Sequence, residues 1–294
     1  MTSKQLYSDV SAMGFQRGFS DGGDESSVFI TAVNRALDTL SARFPLRTTL
    51  ELSCKAPTVL LKDGPITLEG MRTVRREAPG ARSVSIEGAH GVRVRFHENG
   101  GCVREEVLGS EDSSERVFLS HRFEPGALPA VELEGEHAEL YELLFFEEAH
   151  ACAKGRRTHL HETDFLLDTL AEGALDLATP PVLYLQGGGV YTLTEGKDYR
   201  LSDPLTLTLP SGKGERLRVC LRRRYRRFTP DTETIDVHPD GAHLLPLLTA
   251  AYALLDTDSE KALYYLALYR ENLPKAVRLS RERTTRETLT LNGW

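Results

Sequence analysis

Tryptophan occurs once in the 294 residues, as Trp294, and cysteine only four times. Cys54, Cys102, Cys152 and Cys220 are scattered, with no CxxC and no short pairing. That excludes a disulfide framework and a cysteine-rich zinc site, and it fits a reducing cytoplasm. No apolar run approaches the roughly 20 residues of a membrane-spanning helix, so no membrane partner is expected. The opening MTSKQLYSDVSAMGF has neither a basic stretch nor an apolar one, so no secretory leader is expected. Phosphate-binding signatures are missing too. QGGGVYTL is glycine-rich but lacks GxxxxGK[ST] and GxGxxG, and no helix follows it. It reads as a hairpin turn, and SGKGE likewise. No GxSxG or HExxH occurs, and no pair of carboxylates stands out by spacing. The expectation is a protein that is not an enzyme and carries no cofactor and no metal.

What is present is ordinary for a folded chain. Apolar residues make up 40% and charged residues 27%, so a sizeable core is available and disorder is not the default. The length suggests two or three domains. KQLYSDVSAMGF is short and amphipathic and ends near Gly14. Phe29, Ile30, Val33, Leu37 and Leu40 then recur at helical spacing until Pro45 stops them. TTLELSCKAP alternates as a strand. Residues 82–149 are short alternating runs between Gly, Asn and Pro turns, HENGG being a hairpin signal. They predict a small sandwich or jelly roll. A connector follows, in which ETDFLLDTLAEGALDL holds a short helix or irregular coil, and then a second β region. AHLLPLLTAAYALLDTDSEKALYYLALYRENLPKAV predicts two helices split at LLDTDSEK, with Asp258 or Ser259 as the cap of the second. The tail RLSRERTTRETLTLNGW is polar and is expected to be extended or ordered by a partner.

The expected class is α+β: a discontinuous helical domain from both chain ends, an inserted jelly-roll-like β-sandwich and a second β region. The divisions are 1–62 and 236–294 for the helical parts, 63–150 for the sandwich, 151–178 for the connector and 179–235 for the second β region.

RLRVCLRRRYRRF, Arg216 to Phe228, puts seven arginines in thirteen residues of a chain whose net charge is -7. As a strand it turns Leu217, Val219 and Leu221 to one face, and Arg216, Arg218, Cys220, Arg222, Arg224 and Arg226 to the other. The stripe has three readings: a strand face paired within the chain, an intersubunit ion-pair surface meeting acidic loops such as DTETID, or a contact with nucleic-acid phosphates. THLHET sets His159 and His161 two apart beside Glu162, with His150 and Cys152 nearby. On a strand the two histidines would share a face, but no third convergent ligand is visible, so the segment reads as a polar connector.

Three segments together resemble the head-tail adaptor, or neck, proteins of tailed bacteriophages and prophages. They are SSVFITAVNRALDTLSARFP, GGVYTLTEGKDYRLSDPLTLTLP running on into RLRVCLRRRYRRFTPDTETIDV, and HLLPLLTAAYALLDTDSEKALYYLALYRENL. The likeness is one of order and texture and covers about half of the chain, mainly residues 26–45 and 180–273. Residues 82–149 are similar to a galactose-binding-type jelly roll inserted into that plan. The resemblance implies a homo-oligomeric ring, commonly of about twelve copies in that family. The ring would lie between the portal protein and a downstream neck or tail protein, in the neck of the virion, and would be made in the bacterial host cytoplasm. DNA would pass through its channel without sequence-specific binding. Arg216, Arg218, Arg222, Arg224 and Arg226 would then lie at intersubunit or channel contacts, and Leu289, Leu291 and Trp294 would dock on the portal. The alternative is a virion surface or baseplate protein whose sandwich binds carbohydrate or the host surface.

Overall fold

The computed structural model describes residues 1–15, 24–88, 91–108, 117–203 and 205–291. It is a mixed α and β protein in two compact units. One unit holds residues 1–48, 173–175 and 222–294, and the other holds 49–172 and 176–221.

The first unit is mainly helical: α1 (Ser3–Ala12), α2 (Asp24–Ser41), α4 (Leu245–Leu254) and α5 (Ser259–Leu291). Thr2 caps α1 by accepting the Gln5 N–H at 3.2 Å. α2 buries Phe29, Ala32, Val33, Ala36, Leu37 and Leu40, one stripe at helical spacing. α4, apolar nearly all round, packs against α1, α2 and α5. Residues from both chain ends therefore share one core, in which Leu6 and Val10 meet Leu244, Leu248, Ala262 and Tyr269. Backbone bonds add to this. Ser3 donates to the Glu233 carbonyl at 3.0 Å, and Ile235 donates to that of Met1 at 2.9 Å. Asn34 clamps Phe228, donating to its carbonyl at 3.0 Å and accepting its N–H at 2.7 Å.

Asp258 caps α5 as expected, accepting the Lys261 N–H at 3.1 Å. One expectation about this helix fails. It does not give way to an extended tail near Val277, since the backbone stays helical past Pro274 to Leu291. The residues beyond Val277 are rich in Arg, Glu and Leu, which are good helix formers, and Pro274 removes only one donor. Along the helix Leu263 and Tyr264 are exposed, while Ala262 and Tyr269 are buried.

The second unit is β. Its largest sheet holds β2 (Val59–Asp63), β3 (Ile66–Glu77), β4 (Ser83–Gly88), β5 (Val92–Glu98), β6 (Gly101–Leu108), β7 (Val117–Arg122) and β8 (Pro129–Phe146). β8 organises it. Its first half lies between β5 and β3, and its second half between β4 and the β2–β3 segment. Both halves contribute to one core with Val84, Ile86, Val94, Phe96, Leu133 and Phe145. The arrangement is sandwich-like. The HENGG hairpin forms as read: Asn99 and Gly100 have φ of 52° and 85°, the two left-handed residues of a type I′ turn.

A four-stranded sheet orders β14 (Arg200–Asp203), β15 (Thr206–Pro210), β10 (Glu162–Leu166) and β9 (Arg156–Thr158). A five-stranded sheet holds β1 (Leu46–Ser53), β16 (Arg216–Arg223), β12 (Val182–Tyr184) and β13 (Val190–Thr192), with β11 (Ala174–Leu177) beside β16. QGGG is the β12–β13 turn, closed by Leu185 N–H to the Gly189 carbonyl at 2.8 Å. The expected divisions shift accordingly. The cut at 62/63 falls inside β2, and the connector 151–178 holds β9, β10, β11 and a helical turn, α3 (Leu167–Leu170). The strands after residue 176 group with the sandwich in one unit, since sheet pairing joins segments far apart in sequence.

Candidate functional sites

The arginine run is a strand only as far as Arg223. Leu217, Val219 and Leu221 are fully buried, as the alternation requires. Arg216 and Arg218 reach Glu51 of β1 at 3.7 and 3.2 Å and lie over the Tyr184 ring at 5.5 and 5.1 Å. For these two, the acid the stripe meets is in the same chain. Arg222 is exposed, and Arg223 pairs with Asp236 at 2.7 Å. After β16 the backbone is irregular because Tyr225 and Phe228 turn inward. Tyr225 donates its hydroxyl to the Phe44 carbonyl at 2.6 Å. Burial pushes the Tyr225 phenol up to about 12. Arg226 and Arg227 between these anchors, and Arg224 just before them, are exposed, without an ion pair among the described residues. Asp231 and Glu233 are exposed on the loop that follows. Trp294 and the side chains of Leu289 and Leu291 lie outside the described residues.

The second site was read as a polar connector and proves to be a cluster. Residues 148–160 cover one face of β4, where Ser83 donates to the Glu148 carbonyl at 2.7 Å and Ser85 to that of Thr158 at 3.0 Å. Strand alternation puts Glu87 on that same face. Glu87 lies directly opposite Glu142 in the β4–β8 register. His159 closes over both. Its Nδ1 is 3.4 Å from Glu87, and its Nε2 is 3.1 Å from Asp164 of β10. Thr208 of β15 donates to the other Asp164 oxygen at 2.7 Å. The Leu160 N–H donates to Glu142 at 3.3 Å. One ligand atom each from Glu87, Glu142 and His159 lie within 4.8 Å of one another.

Burial favours neutral His159, but Asp164, Glu87 and Glu142 outweigh it and hold the imidazole above its ordinary value. Burial would likewise raise Asp164, yet the hydrogen bonds from His159 and Thr208 win and lower it. The cluster opens into a pocket of about 720 Å³ that Leu160, His161, Arg200 and Ser202 also line. Arg200 is committed to Glu162 at 2.6 Å. Among the described residues no Phe, Tyr or Trp lines the pocket, which matters for sugar binding, where stacking on such rings is the usual anchor. Of the residues singled out in sequence, His159, His161 and Glu162 come to this pocket. His150 and Cys152 do not, and Cys152 instead donates to the Val84 carbonyl at 3.2 Å. Burial pushes the Cys54 and Cys152 thiols up to about 11, so neither is an activated nucleophile. Glu87 and Glu142 carried no sequence signal, because their convergence depends on strand register.

No family model matches the chain, and no curated protein matches it. Solved structures give partial likenesses. The C-terminal CBM6 of a marine laminarinase from Zobellia galactanivorans matches at 10% identity and TM-score 0.21, covering 34% of this chain and 99% of that one. A GH26-CBM35 mannanase from Podospora anserina matches at 12% identity and TM-score 0.19, covering 38% and 29%. A cupin 2 conserved barrel domain protein from Leptotrichia buccalis matches at 11% identity and TM-score 0.21, covering 60% and 89%. Likenesses this slight decide nothing about what the chain binds. Among the described residues no helix is long and apolar enough to cross a membrane.

Proposed function

We propose that the protein is a structural head-tail adaptor of a tailed phage or prophage particle. Copies of it form a ring between the portal and the next neck or tail protein and extend the DNA channel. The observation that carries this reading is the core shared by the two chain ends. It makes the helical unit a block into which the β unit is inserted, the plan implied by the sequence resemblance. The charges of that unit fit a ring. Exposed Arg224, Arg226 and Arg227 precede exposed Asp231 and Glu233, so each copy offers both signs to a head-to-tail neighbour. A channel through which DNA must slide gains little from dense phosphate contacts, since each adds salt-sensitive affinity. The arginines therefore serve protein contacts, and the work of the molecule is mechanical.

The second reading, a sandwich that binds carbohydrate or the host surface, has one observation in its favour: the open polar pocket at His159. The lack of Phe, Tyr and Trp among the described lining residues counts against it. Glycan-array binding by the full chain, lost on Arg200→Ala, is the result this second reading requires.

The ring contact is tested with particles from a producer strain complemented with variants. Arg224→Glu with Arg226→Glu is expected to cut complete particles by about tenfold, equivalent to about 1.4 kcal/mol at the contact. Adding Asp231→Lys and Glu233→Lys should restore part of the loss. Undiminished assembly contradicts the contact, and loss without rescue redirects the segment to phosphate.

A further inference from the structure

The Glu87–Glu142 pair has a physical difficulty built into it. Like charges directly opposite on neighbouring strands repel, and these two face a covered surface. Asp164 brings a third carboxylate to the other side of the same imidazole. Meanwhile Arg200, the basic side chain lining the pocket, is paired elsewhere. The two imidazole nitrogens have different tasks. Nε2 meets a carboxylate that Thr208 holds from behind, the arrangement that fixes a ligating histidine's tautomer and ring plane. Nδ1, which faces Glu87, is then the nitrogen that a metal ion would take by displacing its proton.

We propose that Glu87, Glu142 and His159, through Nδ1, bind one divalent metal ion of the first transition row, Zn²⁺ or Mn²⁺. Asp164 and Thr208 act as positioning residues. Two carboxylates with one imidazole suit these ions better than Mg²⁺ or Ca²⁺, which favour all-oxygen shells. Bonds of ~2.1 Å at tetrahedral angles put ligand atoms about 3.4 Å apart. The His159–Glu87 separation of 3.4 Å already matches, and side-chain rotation brings the set in from its 4.8 Å limit. Three protein ligands leave positions open toward the pocket, where water or a small anionic or hydroxylic group completes the shell. The ion also cancels the cross-strand repulsion, and it joins the sandwich to the covering segment 148–160.

The test uses the full chain, stripped with a chelator and titrated calorimetrically with ZnCl₂, MnCl₂, CaCl₂ and MgCl₂. Saturable binding of Zn²⁺ or Mn²⁺, one per chain and stronger than that of Ca²⁺ or Mg²⁺, is expected, with a rise in Tm. Glu87→Gln with Glu142→Gln should abolish it while leaving the circular dichroism spectrum unchanged. Asp164→Asn should weaken it by about 10- to 100-fold, the usual cost of losing an orienting partner. X-ray absorption of the zinc-loaded wild type covers the case in which the variants misfold: a nitrogen and oxygen shell with one imidazole is expected. The proposal is overturned by absence of saturable binding, by binding unchanged in the double variant, or by sulfur in the shell. Absence of binding would mean that protonated His159 alone balances the carboxylates.

Discussion

Phe29→Ala is expected to destabilise the helical unit by about 3–5 kcal/mol, the range for deleting a large ring from a closed core. Phe29 is 1% exposed and sits where three parts of the chain meet. Its ring lies 5.4 Å from Tyr7 of α1, 5.9 Å from Phe15 and 6.1 Å from Phe228, which follows the arginine strand. Two of these contacts are edge-to-face, adding about 0.5–1.5 kcal/mol each beyond area. The cavity cannot close easily, because Phe228 is held by Asn34 and cannot follow a shrinking neighbour. Phe29→Leu, which keeps most of the volume, should cost far less, under about 2 kcal/mol. Denaturant unfolding followed by the helical dichroism band measures both. If the two chain ends fold as one block, Phe29→Ala also exposes the amides of α4 and α5 to hydrogen exchange. Exchange raised only in α1 and α2 would mean that the ends fold separately.

Arg156→Met should cost about 2–4 kcal/mol in the β unit. Arg156 is 6% exposed, and burial works against its charge. It is kept because it satisfies three acceptors: the Ser53 and Lys55 carbonyls, both at 3.0 Å, and Thr158 Oγ1 at 3.2 Å. Methionine keeps only the apolar stem: it loses the guanidinium over the Phe165 ring and removes a donor from each of the two carbonyls, at about 1–3 kcal/mol for each one that water cannot reach. Arg156→Lys should recover only part of the loss, since an ammonium cannot fork between two carbonyls as a planar guanidinium does. Full rescue by lysine would show that charge, not geometry, is what the site needs.

Local chemistry was legible in the sequence, and long-range register was not. The Asn99–Gly100 turn, the buried Leu217–Val219–Leu221 face and the Asp258 cap each depend on a few neighbouring residues, and each stands as read. The sequence over β8 shows two runs, AVELEG and AELYELLFFEEA, but β8 is one strand. Its pairing with β3 shifts near Gly135, where an added Cβ would sit 3.2 Å from Leu68. A bulge interrupts alternation without ending a strand, so the pattern breaks where the strand does not. The His159 cluster was half visible. THLHET marked the histidine, but Glu87 and Glu142 stand 72 and 17 residues earlier and meet it only through sheet pairing. The arginine run shows both outcomes at once. Its strand half follows the period of two, while its second half follows Tyr225 and Phe228 into the helical core.

The adaptor reading is tested most directly by electron microscopy of particles from a producer strain lacking this gene. The account predicts tailless heads, filled or leaking DNA, beside free tails, with complete particles restored by the wild-type chain. Complete particles that fail only to adsorb would contradict it and move the function to the β-sandwich. Normal infectious particles would contradict both.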